Sequence, residues 1–330
     1  MKTVKIKFAG KWEGITPEQN TICHWLKKNG YDIQVTDDAD YIICDVLGEY
    51  HYEYCKYPQV RIFECGENVT PDFNLVDYAI SRYPIQFGDR NFYYPGCTMS
   101  GAYWHELAKK DRNYPADVLK EKPYFANLVA GHDSEHNYRS IFFDKLSAYK
   151  RVEAAGNLRY NMPDGMRVNW LDDSKTNFQR KSKFTICFES TAHEGFITEK
   201  ITDAFFADTI PIYYGSSTIT EIFNKDAFIN VADYESLDAV VEKVKELDQD
   251  DEKYLAMLRQ PILVDPAYPA RLDAELEKYI LHIFEQPLEK AYRRCRAFYP
   301  KWQDEYLARV LEPTWGHKLM QKMKRILKRG

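Results

Sequence analysis

The sequence predicts an α/β protein made of two Rossmann-like domains facing a cleft, followed by a helical C-terminal extension. Three observations carry this. Short apolar runs alternate with amphipathic segments over the first 90 residues. The same alternation returns more clearly between residues 183 and 247. Between them, from about 90 to 135, lies irregular sequence rich in Gly, Pro, Tyr and His. Strand–helix–strand alternation builds parallel sheets, and 330 residues are enough for two cores.

The elements follow in order. Val4, Ile6 and Phe8 alternate with Lys5 and Lys7, a period of two and therefore a strand. Pro17 opens and Gly30 closes a helical segment with Ile22, Trp25 and Leu26 on one face. YDIQV, DYIICDV and VRIFEC are short strands. The stretch 90–135 reads as loops and short helices, and SIFFDKLSAYKRV (140–152) as a helix. KFTICFE (183–189) is a strand, TEKITDAFFA (198–207) a helix and TIPIYYG (209–215) a strand. AFINVAD (227–233) is a further strand, and residues 234–247 a helix carrying Leu237, Val240, Val241, Val244 and Leu247. Past residue 265 the chain is mostly helical.

Composition narrows the function classes. A net charge of −5 excludes nucleic-acid binding by bulk attraction. With 25 Tyr, 18 Phe and 6 Trp the chain is rich in flat rings, which suit sugar surfaces as well as an aromatic core. Seven cysteines form no CxxC pair and several sit in apolar runs, the pattern of reduced structural thiols in a cytoplasmic enzyme. The N-terminus lacks a signal-peptide core, and no apolar stretch is long enough to span a membrane. The end of the chain, HKLMQKMKRILKRG (317–330), places Leu319, Met320, Met323, Ile326 and Leu327 on one helical face. Six Lys and Arg residues without an acidic partner occupy the rest, so this segment is a candidate for peripheral contact with an anionic membrane or, alternatively, a solvated helix end.

Chemistry concentrates in FESTAHEGFITEKITDAFFADTIPIYYG (188–215). A buried strand ends at Glu189, a Gly-containing loop follows, and Thr198 stands at the expected helix N-cap. A helix N-terminus with Lys200 in its first turn suits a diphosphate, although an ordinary helix start with a surface Glu-Lys pair would read the same. Ligands of open α/β sheets bind at the carboxyl ends of strands, which makes this loop the place for the site.

The segment resembles the donor-binding signature of glycosyltransferase family 10, the α-1,3/4-fucosyltransferases, through FES, FITEK and IPIYYG in order. Bacterial members are also similar at GENVTPDFNLVDYAISRY (66–83) and FINVADY (228–234). The resemblance implies a GT-B fold in which residues 1–150 form an acceptor-binding domain holding the catalytic base. It implies that 151–312 bind GDP-fucose, with 313–330 a basic tail. It further implies inverting transfer of L-fucose to a GlcNAc hydroxyl of N-acetyllactosamine-type glycans, giving Lewis-type products. Lys200 and Arg139 would hold the diphosphate and Glu199 a fucose or ribose hydroxyl. Phe196 stands where bacterial relatives often have Tyr, and Ser190 replaces the more usual Asn. Glu67 matches the family's proposed base, with Glu64 as its confounder, while Asp77 and Tyr78 support the sheet.

Asp38-Ala39-Asp40 and Asp248-Gln249-Asp250 fit an Asp-x-Asp metal string, but both lie in acidic turns or linkers. Lys200 and Arg139 would replace the cation, so no essential metal or other cofactor is expected. His132 and His136 lack a third ligand. His193, in the donor loop, is a candidate substrate contact, and acceptor recognition falls to Tyr103, Trp104, His105 and Tyr124. Nothing in the motif physics names guanine or fucose. A different nucleotide sugar on the same fold, or a non-catalytic sugar-nucleotide-binding protein, are the competing readings.

Overall fold

The computed structural model describes residues 2–10, 15–46, 53–169 and 172–310. These form two compact units, each organised around its own sheet. The division differs from the expected break at residue 150. One unit takes residues up to 81, 85–93 and those from 275 onward, and the other takes 82–84 and 94–274. Two features that sequence periodicity did not show explain the shift, a concealed strand and a returning C-terminus.

The first unit holds six parallel strands in the order β2-β1-β3-β4-β5-β6. They are β1 (Lys2–Phe8), β2 (Tyr31–Val35), β3 (Tyr41–Cys44), β4 (Val60–Glu64), β5 (Tyr78–Ser81) and β6 (Asn91–Tyr93). Helix α1 (Thr21–Lys28) crosses between β1 and β2, and it buries Ile22, Cys23, Trp25 and Leu26, the expected face. Both β3 and β4 are buried along their whole length, as parallel strands covered on two faces must be.

The second unit holds five parallel strands in the order β11-β10-β9-β7-β8. Its members are β7 (Tyr124–Leu128), β8 (Val152–Ala154), β9 (Ser182–Phe188), β10 (Ile210–Tyr214) and β11 (Ile229–Asn230). Strand β7 is the concealed one. The polar Asn127 interrupts its apolar run, but that residue is fully buried and its side-chain NH2 donates to the Phe184 carbonyl and the Thr185 hydroxyl. Helices α2 (Ala102–Leu107), α3 (Tyr138–Ser147), α4 (Ser174–Gln179), α5 (Glu199–Phe206), α6 (Ile219–Ile222), α7 (Leu237–Gln249) and α8 (Asp251–Leu258) complete it. The expected helix over 140–152 therefore ends at Ser147, and its last residue, Val152, opens β8. Ser236 caps α7 through the Ala239 amide, and α7 buries Val240, Val241, Val244 and Leu247 against the sheet core.

Within α9 (Tyr268–Glu285) the chain passes from the second unit back to the first, and α10 (Leu288–Ala291) and α11 (Phe298–Val310) follow. Asp77, which has no solvent exposure, anchors this return. One of its carboxylate oxygens accepts the Arg61 amide at 2.8 Å, and the other accepts the amides of Arg293 and Arg294, each at 2.8 Å. Arg61, equally buried, donates to the carbonyls of Cys55, Tyr57 and Leu75 and pairs with Asp304 of α11. The Tyr279 hydroxyl adds contacts to the carbonyls of Ala79 and Arg90. Asp77 thus has the supporting role expected of it.

All seven cysteines are free, six buried and Cys295 exposed. Among the described residues no helix is long and apolar enough to cross a membrane. The basic segment 317–330, and the tail 313–330 that contains it, lie outside the described residues.

Replacing Asp77 by Ala leaves three main-chain amides without their acceptor and removes the carboxylate 3.6 Å from the Arg294 guanidinium. We expect urea unfolding of Asp77→Ala to show a loss of about 3–5 kcal/mol, the range for breaking a buried charged contact. A loss under about 1 kcal/mol would count against Asp77 as the anchor.

Candidate functional site

In the second sheet the chain runs from β7 outward to β8, then returns to β9 on the other side of β7. This reversal opens a crevice at the carboxyl ends of β7 and β9, the position at which open α/β sheets take ligands. The loop after β9 and the loop after β7 meet there, with the Glu135 amide donating to the Ser190 carbonyl at 2.7 Å.

Strand β9 is apolar and buried, yet Glu189 follows it directly with no solvent exposure. Its carboxylate accepts the Thr198 amide at 2.7 Å and the Thr198 hydroxyl at 2.7 and 2.9 Å. It also accepts the Lys200 ammonium at 3.1 Å. Thr198 is the α5 N-cap, in extended conformation as expected. Its hydroxyl does not cap the helix; it turns back to Glu189 and accepts Lys200 Nζ at 2.7 Å. The intervening loop turns at Gly195, whose φ of +78° favours glycine, and the Gly195 amide donates to Ser216 Oγ. Gly215 closes the other side. A Cβ there would lie 2.7 Å from Glu189 Cγ and 2.5 Å from the Tyr213 hydroxyl, so only glycine lets the strands approach this carboxylate.

Charges alternate around this clamp. Lys200 Nζ lies 3.7 Å from Glu199, and Lys175 of α4 lies 3.9 Å from Glu199 and 2.6 Å from Asp203. Burial alone would raise the Glu199 carboxyl, but Lys200 and Lys175 outweigh it and bring its pKa from 4.5 to about 2. Burial likewise opposes charge on Lys200, but Glu189 and Glu199 outweigh it and raise its pKa above the ordinary 10.5. Arg139, on α3, is also buried. Its Nε and Nη2 donate to the Phe188 carbonyl at 2.9 and 2.7 Å and its Nη1 to the His132 carbonyl at 2.7 Å. The guanidinium therefore staples the ends of β9 and the β7 loop, with three of its five N–H groups engaged on main chain.

In the first unit, β4 delivers two carboxylates to different environments. Glu64 is buried and accepts Asn20 Nδ2 at 2.8 Å, while Asn20 Oδ1 caps α1 at the Cys23 amide. Glu67 lies three residues on, exposed in the turn after Cys65, where its carbonyl accepts the Val69 amide. Glu64 is thus engaged in structure, and Glu67 is the exposed carboxylate of the two.

Two family models match the chain. "Glycosyltransferase family 10 (fucosyltransferase) C-term" matches residues 119–259, which include every strand of the second sheet. "Alpha-(1,3)-fucosyltransferase FucT N-terminal domain" matches residues 6–99. The chain belongs to glycosyltransferase family 10. An alpha-(1,3)-fucosyltransferase FucT of Helicobacter pylori is 29% identical over 296 residues, 77% of this chain and 59% of that one. A putative fucosyltransferase R654 of Acanthamoeba polyphaga mimivirus is 27% identical over 199 residues, 56% of this chain and 32% of that one. The chain thus spans only part of the length of these relatives. Among solved structures, an alpha1,3-fucosyltransferase superposes with a TM-score of 0.70 at 24% identity, covering 90% of this chain and 93% of that one. The fold is of GT-B type.

The second sheet's switch point gathers Arg139, Ser190, Glu199 and Lys200 around the β9 loop. Ser190 is exposed there, as is His193, whose ring lies 6.1 Å from that of Tyr83. Phe196 is buried, and its ring carries no polar atom. The aromatic acceptor candidates fare worse. Trp104 is a core residue, edge-on to Phe223 and Tyr268. Tyr103 stacks on Phe206, with centroids 3.7 Å apart, and donates to Asp173, at the opposite end of α5 from Lys200. Tyr124 begins β7, at the amino edge of the sheet and away from the crevice. His105 is exposed beside Asp273, 3.3 Å away. Periodicity cannot separate a core ring from a binding ring in irregular sequence, which is why Trp104 was misplaced.

Glu189, Lys175 and Asp203 had no role in the sequence reading. A charged residue closing the largely apolar FTICF run was the available signal for Glu189. Asp38 pairs with Lys5, and among the described residues no group of three His, Cys, Asp or Glu side chains could hold a metal ion.

Glu199 has its charge held by Lys200 and Lys175, so the stability it contributes is present above about pH 4.5 and is lost as pH falls through about 2. We expect a carbon-13 titration of the Glu199 carboxyl to show a midpoint near 2, moving toward 4.5 in Lys200→Ala. A midpoint near 4.5 in the unaltered protein would refute the charge network.

Proposed function

We propose that this family-10 chain is an inverting α-1,3/4-fucosyltransferase that moves L-fucose from GDP-fucose to a GlcNAc hydroxyl of lactosamine-type glycans, making Lewis-type products. One observation carries the reading. The FES–FITEK–IPIYYG signature is also the physical site, because it places Lys200 beside a helix N-terminus at the sheet's switch point. Relatives named as alpha-(1,3)-fucosyltransferases, and a solved alpha1,3-fucosyltransferase with GDP-fucose, supply the sugar and the nucleotide.

In the transfer, the acceptor hydroxyl oxygen bonds to the fucose anomeric carbon from the face opposite the leaving group. The bond from that carbon to the β-phosphate oxygen breaks, and its electron pair leaves with GDP. Glu67 takes the hydroxyl proton, a role that needs an exposed carboxylate such as the one the turn after β4 provides. Lys200 and the uncommitted N–H groups of Arg139 stabilise charge growing on the diphosphate. These fixed cations do the work that a divalent ion does in other transferases, so we propose a reaction independent of added metal. The basic segment 317–330 is proposed to hold the enzyme at an anionic membrane surface.

The test is GDP release from GDP-fucose, with and without N-acetyllactosamine, in EDTA. We expect acceptor-dependent release that survives EDTA and falls by about 10²–10⁴ in Glu67→Ala, the usual range for a general base. Release only from a UDP-sugar would refute the fucose reading, and loss of release in EDTA would refute independence from metal.

A further inference from the structure

Lys200 is the residue on which the donor site turns, and the structure shows how its position is set. An ammonium has three N–H donors. One goes to Glu189 at 3.1 Å and one to the Thr198 hydroxyl at 2.7 Å. The side chain keeps 24% of its exposure, whereas Glu189 keeps none. Among the described residues the third N–H has no further hydrogen-bond acceptor, the next carboxylate, Glu199, lying 3.7 Å from Nζ. Thr198 is oriented for this by its own donation to Glu189, since a hydroxyl that gives its proton to the carboxylate offers its lone pairs to the ammonium. Gly215 on one side and the Arg139 staple at Phe188 on the other prevent the carboxylate from relaxing.

We infer that Glu189 is a positioning residue for fucosyl transfer: together with Thr198 it aims the Lys200 ammonium, leaving one N–H free for the donor's diphosphate. Glu189 touches no substrate and acts through Lys200. The inference rests on the donor reading above, and it concerns a carboxylate to which that reading gave no part.

The consequence is visible in pH. The charged groups around Lys200 are Glu189 after β9, Glu199, Lys175 of α4, Asp203 of α5 and Arg139 of α3. Cys187 donates to the Lys200 carbonyl, and burial holds its thiol protonated well above pH 9. The raised Lys200 pKa means that its contribution is fully present below 10.5 and is lost only as pH rises beyond that. Without the Glu189 charge, only Glu199 is left to oppose burial and the ammonium loses its proton at lower pH than in the unaltered protein.

The experiment measures GDP affinity by calorimetry on the full chain at about pH 7 and about pH 9.5. The variants are Glu189→Gln, Lys200→Ala and the pair combined, each expressed as a ratio to the unaltered protein so that titration of the nucleotide cancels. We expect Glu189→Gln to lose about tenfold in that ratio between the two pH values, one unit of pKa-linked binding. Lys200→Ala should show no such change, and adding Glu189→Gln to it should alter affinity by less than about twofold, because nothing remains to be aimed. Independent, multiplying effects with a flat pH ratio would assign Glu189 to folding alone and overturn the inference. Should Glu189→Gln fail to fold, Thr198→Val and Thr198→Ser repeat the cycle, with the serine restoring the coupling to Lys200 and the valine abolishing it; equal behaviour of the two would overturn the inference. Absence of GDP binding by the unaltered protein, with UDP or ADP bound instead, would overturn the donor reading itself and this inference with it.

Discussion

A carboxylate without access to water must be met by donors or it will not stay charged, and Glu189 imposes that condition on everything around it. Its demand for donors brings the Thr198 amide and hydroxyl back from the far side of a turn, fixes where α5 begins and holds Lys200 by its ammonium. The turn needs Gly195, whose backbone takes a left-handed conformation, and the next strand must end in a residue without a side chain, Gly215. Three segments of the FES–FITEK–IPIYYG signature are thus consequences of one buried charge.

The first unit repeats the logic with Asp77. There the carboxylate gathers main-chain amides from Arg61 in β4 and from Arg293 and Arg294 of the returning C-terminus. It closes a unit from two stretches of chain about two hundred residues apart. Buried carboxylates of this kind are costly when unpaired and firm when satisfied. The first unit spends one on assembly, whereas the second places one beside Lys200.

The repeating elements were legible because their periods are strong. The strands β1, β9 and β10 and the helices α1, α5 and α7 lie within a few residues of where apolar spacing put them. Strand β7 was not legible, because Asn127 breaks its apolar run and only its partners on β9 make that amide tolerable. The end of α3 was read too far for a related reason: the apolar residues that continue past Ser147 serve the next strand. Glu64 and Glu67 could be told apart because Glu64 closes the buried run of β4 and the following loop leaves Glu67 exposed.

By itself, the sequence determined the α/β class, the family signature, the Lys200-bearing helix start and the preference for Glu67, since all of these follow from local periods and contiguous motifs. Only the tertiary structure decided the domain boundary, the fate of Trp104 and Tyr103 as packed rings, and the binding of Glu189 to Thr198 and Lys200. Those depend on which residues distant in the chain supply burial and hydrogen-bond partners, and a buried polar side chain has no local pattern that announces its partner.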